Sequence, residues 1–107
     1  MAYSTQSDLE EQISQDELVE LTDDSGSGSV DTSAVARAIA DADAEIDSYC
    51  GGRYTTPFSP VPVIIRKFSV DMAIYHLFSR RSVLKVPEER QKRYDNAIRF
   101  FRDVAKG

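Results

Sequence analysis

The sequence has little of several residue types on which common sites depend: of 107 residues, one is cysteine, one is histidine and none is tryptophan. A single cysteine, Cys50, cannot form an internal disulfide or a cysteine-based zinc cluster, and it fits a reducing compartment. The single histidine, His76, has no second histidine for a metal pair or a proton relay, so we expect it to be packed or solvated. These scarcities predict a protein without cofactor or metal.

Long apolar runs are also missing. The longest is VPVII at residues 61–65, far short of the roughly 20 residues of a membrane-spanning helix. The opening MAYSTQSDLEEQ has neither the basic nor the apolar region of a secretory signal. We therefore expect no membrane partner and synthesis in the cytoplasm.

Sequence motifs of enzymes are absent as well, with no P-loop, GxSxG or HExxH, so we do not expect an enzyme. The loop from Asp23 to Ala34 begins like a calcium loop, but its twelfth position should be a bidentate glutamate and is Ala34. Ser25 and Ser27 also stand where carboxylates are needed. We expect a flexible loop without calcium, and a calcium-responsive switch is kept as a third hypothesis.

Charge is divided unevenly along the chain. Residues 1–50 contain 13 acidic and one basic residue, a net charge of −12, whereas residues 51–107 contain 5 acidic and 12 basic residues, a net charge of +7. Either the halves neutralise each other within one subunit or they form charge-matched contacts between neighbours. The basic half could attract phosphates, but the overall charge of −5 and the lack of base-reading spacing argue against a nucleic-acid partner.

Capping signals predict two short leading helices. Ser7 and Glu10 fit a capping box at the start of the first, which should end near Ser14. A second S-x-x-E box begins at Ser14, and its helix should run to about Thr22. The segment DDSGSGS, residues 23–29, favours a loop.

A longer helix follows, with Asp31 as its cap, apolar residues at spacings of four and three, and a stop at Gly51-Gly52. Its acidic residues at 41, 43, 45 and 47 alternate around the helix, so we expect a solvated face and not a carboxylate site. Three prolines in RYTTPFSPVP, residues 53–62, predict an extended and stiff connection.

Two more helices complete the chain. The first should run from near Pro62 or Val63 to about Arg80 and be central, because it is apolar over most of its circumference. Pro87 fits the first residue of the last helix. We expect a core shared by Phe68, Met72, Tyr75, Ile98 and Phe101. The predicted fold class is all-α: one domain over residues 1–107, with three longer helices after two short ones.

Asp71 is the one acid within the apolar helix. An ionised carboxylate in such a place requires a partner. We expect that partner to be Arg99 or Arg102 on the last helix.

Several segments together resemble a known family: AYSTQSDL, ELVELTDDSGSGSVD, AIADADAEIDSYCGGRYTTPF, DMAIY and RYDNAIRFFRDVAKG. The chain resembles the small neck proteins of Mu-like phages and prophages over nearly its whole length. GGRYTTPF, RYDNAI and DVAKG are the most specific parts.

The resemblance implies a structural subunit of the virion neck, a head-tail connector made in the bacterial cytoplasm. Its expected partners are the portal protein, other neck or tail-completion proteins and further copies of itself in a ring, although the free protein can still be a monomer. The resemblance supplies no catalytic residues. A small helical regulatory or nucleic-acid-binding module that uses the basic half is the alternative.

Arginine and aromatic residues are enriched at the centres of interfaces. The proline-rich connection offers both types, and two arginines follow the central helix. The predicted partner-binding residues are Arg53, Tyr54, Pro57, Phe58, Arg80 and Arg81.

Overall fold

A computed structural model describes residues 2–80 and 86–107. Over these residues the protein has five α-helices and no strand, as predicted: α1 Gln6–Glu10, α2 Gln15–Thr22, α3 Thr32–Cys50, α4 Val63–Ser79 and α5 Glu88–Lys106. The three longer helices pack against one another, and α1 and α2 lie against this bundle.

The first leading helix begins and ends earlier than predicted. Thr5, and not Ser7, begins α1: its hydroxyl accepts the N–H of Asp8 at 3.2 Å, and the Asp8 carboxylate accepts the N–H of Thr5 at 2.9 Å. Since Thr5 completes its own capping box, Ser7 lies inside the helix. The helix ends at Glu10 and not near Ser14 as predicted. Ser14 caps α2, and that helix ends at Thr22 as expected.

The acidic loop before α3 is organised by Asp23. Its carboxylate accepts the N–H of Ser27 at 3.0 Å and of Gly28 at 2.7 Å. Gly28 has a φ of 80°, a left-handed conformation that favours glycine. These amides, that of Gly28 first, lower the pKa of Asp23. Asp31 then caps α3 through the N–H groups of its first turn, as predicted.

The proline-rich connection is not extended, which corrects the prediction. The chain turns at residues 51–53 and bends at 54, 56–57 and 59–60, and the peptide bonds before Pro57 and Pro60 are cis. The chain bends because Phe58 folds back against the core. α4 then begins at Val63, as predicted. Pro87 is the N-cap of α5, so this helix begins at Glu88, one residue later than predicted.

Buried apolar side chains from all five helices form one core. Of the five residues expected to share it, Phe68, Met72 and Phe101 are buried. Ile98 packs against the core while partly exposed, and Tyr75 is half-buried and stacks on Tyr94 with ring centroids 3.9 Å apart. Phe68 contacts Phe101 whereas Tyr75 contacts Tyr94, so α4 and α5 run in opposite directions.

Candidate functional site

Three large apolar side chains are exposed at the end of the bundle where α3 finishes and α4 begins. Tyr54 is 56% exposed, Val63 76% and Ile64 43%, and among the described residues these are the exposed large apolar side chains. We call these three residues the apolar end. Tyr54 was among the predicted partner-binding residues, whereas Val63 and Ile64 were not, because they precede the buried Ile65 in an apolar run that is typical of a buried helix.

Arg53 is used within the subunit. Its guanidinium donates to the carbonyl oxygen of Ala105 at 3.0 Å and to that of Lys106. Cationic donors stabilise the free carbonyls at a helix C-terminus. Arg53 therefore ties the chain after α3 to the last turn of α5, and its predicted contact with a partner stays a prediction.

Phe58 anchors the proline-rich connection. Its backbone N–H donates to the hydroxyl of Tyr3 at 3.0 Å, and its ring lies 5.9 Å from that of Tyr3 and 6.1 Å from that of Tyr54. Pro57 beside it is exposed. The connection thus places the Tyr54 ring against the half-buried Phe58 ring, and the other side of the Tyr54 ring faces solvent.

Arg80 joins the basic and acidic halves of the chain. Its guanidinium donates to the carbonyl oxygen of Leu21 at 2.7 Å and to the carboxylate of Asp24 at 2.8 Å. Part of the charge division is therefore neutralised inside the subunit. Arg81, the other arginine of this predicted pair, lies outside the described residues.

The buried carboxylate of Asp71 has partners other than those predicted. It is 3% exposed and lies 2.9 Å from the ammonium of Lys67 and 3.6 Å from the guanidinium of Arg93. Arg99 and Arg102 instead line a recess between α3 and α5. At 100° per residue they lie about 200° and 140° around the helix from the buried Ala97, so they point away from α4.

A polar network fastens the N-terminal segment to α3 and α4. The N–H of Tyr3 donates to Asp43 at 2.8 Å, and its hydroxyl donates to Asp47. Asp43 also accepts from the hydroxyl of Ser69 at 2.7 Å, which contacts that of Ser4. Burial raises the pKa of Asp43 and, aided by the bond to Asp47, that of Tyr3 to about 12. Asp43 and Asp47 thus hold the chain together, which corrects the expectation of a solvated acidic face.

A second network joins the three long helices through Glu45. One of its carboxylate oxygens meets the ring of His76 in α4, and the other accepts the hydroxyl of Tyr94 in α5 at 2.8 Å. Burial, and then this bond, raises the pKa of Tyr94. Tyr49, one turn after Glu45, stacks on Phe101, so α3 and α5 run in the same direction. The lone histidine is therefore paired with a carboxylate.

A groove of about 610 Å³ lies between the N-terminal segment and the outer face of α3. Its α3 side combines apolar residues with one threonine and two acids and carries no basic side chain: Thr32, Val35, Ala36, Ile39, Ala40, Asp43, Ala44 and Asp47. We call it the α3 groove.

Residues 2–80 and 86–107 contain no cluster of three side chains that could hold a metal ion. The carboxylate of Asp23 is directed to loop amides. No helix in this part of the chain is both long and apolar enough to cross a membrane.

The described residues form a small all-helical protein, and the sequence comparisons show the family to which it belongs. Residues 3–107 match the family described as Bacteriophage Mu, Gp36, and the chain belongs to it. One relative is the Mu-like prophage FluMu protein gp36 of Haemophilus influenzae, which is 35% identical over 79 residues, or 74% of this chain. Those residues span 53% of the relative, so the chain matches about half of its length.

Proposed function

We propose that this protein is a structural, non-enzymatic subunit of the virion neck, a head-tail connector that assembles on the portal protein. The apolar end carries the proposal: Tyr54, Val63 and Ile64 face solvent although the core below them is closed. Exposed apolar surface of this kind is typical of a protein that binds another protein. In a member of a Mu phage family, that need for a partner fits virion assembly.

The wider arrangement supports the same role. The proline-rich connection holds Tyr54 through contacts of Arg53 and Phe58 with the bundle, so the apolar end is rigidly presented. Rigid presentation lowers the entropic cost of assembly. We propose other neck or tail-completion proteins and further copies of the chain as additional partners, with the free protein able to remain monomeric before it meets the portal.

A phage carrying a nonsense mutation in this gene tests the proposal. A missing connector should yield DNA-filled heads and separate tails in electron micrographs of the lysate, and a wild-type gene supplied in trans should restore joined particles. A labelled antibody against the chain should mark the junction of head and tail in intact virions. Infectious tailed particles without the protein would refute the neck assignment.

The nucleic-acid alternative has weaker support. The exposed face of α5 carries Lys92, Arg99 and Arg102, but Asp95 and Asp103 lie among them, and acids repel a phosphate backbone. A gel shift with duplex DNA separates the two functions. Salt-sensitive binding at micromolar protein would favour the alternative.

A further inference from the structure

We infer that copies of this chain bind one another end to side, with the apolar end of one copy seated in the α3 groove of the next. The role of this contact in a neck ring rests on the proposed function, whereas the contact itself can be tested with the purified protein. The occupant of the groove is thus a second copy of the chain.

The two surfaces are complementary in shape. Val63 and Ile64 begin α4 and stand out from the bundle at 76% and 43% exposure. The α3 groove is recessed because alanines occupy its outer helix face at 36, 40 and 44, and its volume of about 610 Å³ lies within the range of pockets that enclose ligand groups. Protruding apolar side chains can therefore fill a recess that its own subunit leaves open.

Basic residues stand beside Val63 and Ile64, where the acids Asp8 and Glu11 share a recess with Val63, Arg66 and Lys67, whereas the charged residues lining the α3 groove are acids. Arg66 and Lys67 lie one turn after Val63 and Ile64, and both are exposed. Arg66 pairs with no carboxylate among the described residues, whereas Lys67 pairs with Asp71. On the receiving side, Asp43 and Asp47 line the groove, and among the described residues no arginine or lysine side chain lines it. Contact between the surfaces thus brings positive charge to negative charge.

The same charges argue against a symmetric dimer. Two apolar ends meeting face to face would place Arg66 against its counterpart, and two grooves meeting would oppose their aspartates. Like charges across an interface suppress such pairings. The end-to-groove contact instead places apolar side chains in the recess and Arg66 near the aspartates, and a contact between different surfaces can propagate and close into a ring.

Site-directed disulfides test the contact in the full chain. Val63→Cys and Ala40→Cys place one thiol on each surface, and the native Cys50 stays in all variants because it is buried. Under mild oxidation, a mixture of the two single variants should give a mixed dimer several-fold more abundant than either variant gives alone. The double variant should give a ladder of multimers. The inference would be overturned if only the Val63→Cys variant formed dimers. It would also be overturned if no cross-link formed even at the highest soluble concentration.

A blocking substitution shows whether the groove itself is used. Ala44→Arg in the cysteine background should reduce the mixed dimer several-fold, since a long side chain fills the recess. Ser48→Arg is the matched control, because Ser48 is exposed on the same helix but does not line the groove. Circular dichroism should show both variants folded. Equal yields of the mixed dimer from Ala44→Arg and Ser48→Arg would overturn the inference.

The phage with the nonsense mutation separates this inference from the proposed function. If the cysteine variants do not cross-link while the nonsense mutant gives unjoined heads and tails, the contact is wrong and the neck role stands. If Ala44→Arg stops head-tail joining while the cysteine pair never cross-links, the groove receives another protein and the inference is wrong. Normal tailed particles without the gene product would refute the neck role whatever the cross-links show.

Discussion

Tyr94 donates its phenolic hydrogen to a carboxylate oxygen of Glu45 across 2.8 Å, and this bond joins α5 to α3. The second carboxylate oxygen meets His76 of α4. One half-buried acid thus contacts a polar side chain from each of the other two long helices. A buried network of this kind specifies how helices are rotated against one another, because each member left unpaired costs free energy.

Tyr94→Phe should lower the free energy of unfolding by about 1 to 2 kcal/mol, since it leaves one oxygen of a half-buried carboxylate without its donor. Urea denaturation followed by circular dichroism measures this loss. Tyr75→Phe is the matched control, because the Tyr75 ring stacks on Tyr94 but its hydroxyl has no hydrogen bond among the described residues. Equal losses in both variants would show that the Glu45 contact contributes nothing specific.

Local features could be predicted from the sequence. The end of α2 at Thr22, the cap at Asp31 and the start of α4 at Val63 depend on capping residues, glycines and prolines within a few positions. The capping box of α1 was placed two residues late because Thr5 with Asp8 and Ser7 with Glu10 both fit the same motif.

Contacts between distant segments could not be predicted in the same way. The partner of Asp71 was sought on the correct helix, but the rotation of α5 that presents Arg93 is set by packing around Ala97 and Phe101. Likewise, no local pattern shows that Tyr3 bonds to Asp43 and Asp47. At the candidate site, residue type was enough to suggest Tyr54 and Phe58, whereas the exposure of Val63 and Ile64 depends on where the bundle ends.

Phe101 is fully buried between α3 and α4, with Phe68 and Tyr49 against its ring. Phe101→Ala should cost about 3 to 5 kcal/mol because it removes a large side chain and leaves a cavity. The neighbouring Phe100 is only half-buried, so Phe100→Ala should cost clearly less. Chemical denaturation of both variants tests this order, and a loss below about 1 kcal/mol for Phe101→Ala would contradict its central place in the core.

Stability should fall at alkaline pH because of Tyr3. The pKa of its hydroxyl is raised to about 12, whereas the unfolded chain releases this proton near pH 10. Between about pH 10 and pH 12 the folded state therefore holds a proton that the unfolded state has lost. The resulting stabilisation is complete below pH 10 and is lost as pH rises toward 12, at up to about 1.4 kcal/mol per pH unit. The raised pKa of Tyr94 acts in the same direction.

Urea titrations between pH 8 and 11 with Tyr3→Phe check this dependence. The variant should be less stable at pH 8, because Asp47 and the N–H of Phe58 lose a partner. Its stability should nevertheless fall less steeply above pH 10, because the variant lacks the hydroxyl whose pKa is raised. Identical slopes for the variant and the wild-type protein would show that Tyr3 does not carry the effect.

Binding to purified portal rings should depend on both salt and Tyr54. Opposite charges attract less as salt is added, because the screening length falls from about 10 Å at 0.1 M to about 3 Å at 1 M. Tyr54→Ala removes an exposed aromatic side chain of the kind that dominates interfaces, so it should weaken assembly about tenfold or more, directly or through lost contacts between copies.

The choice of variant decides what the binding experiment can show. Arg53→Ala and Phe58→Ala also weaken assembly if the proline-rich connection is part of the interface, but both remove contacts within the subunit. Tyr54→Ala removes the ring contact with Phe58 but leaves the bonds of Arg53 and the contact of Phe58 with Tyr3 in place. Thr55→Ala, at an exposed neighbouring position, is its control. If Tyr54→Ala binds the portal like the wild-type protein and binding ignores salt, the apolar end is not the interface. The division of charge would then serve only neutralisation within one subunit, as the pairing of Arg80 with Asp24 already does.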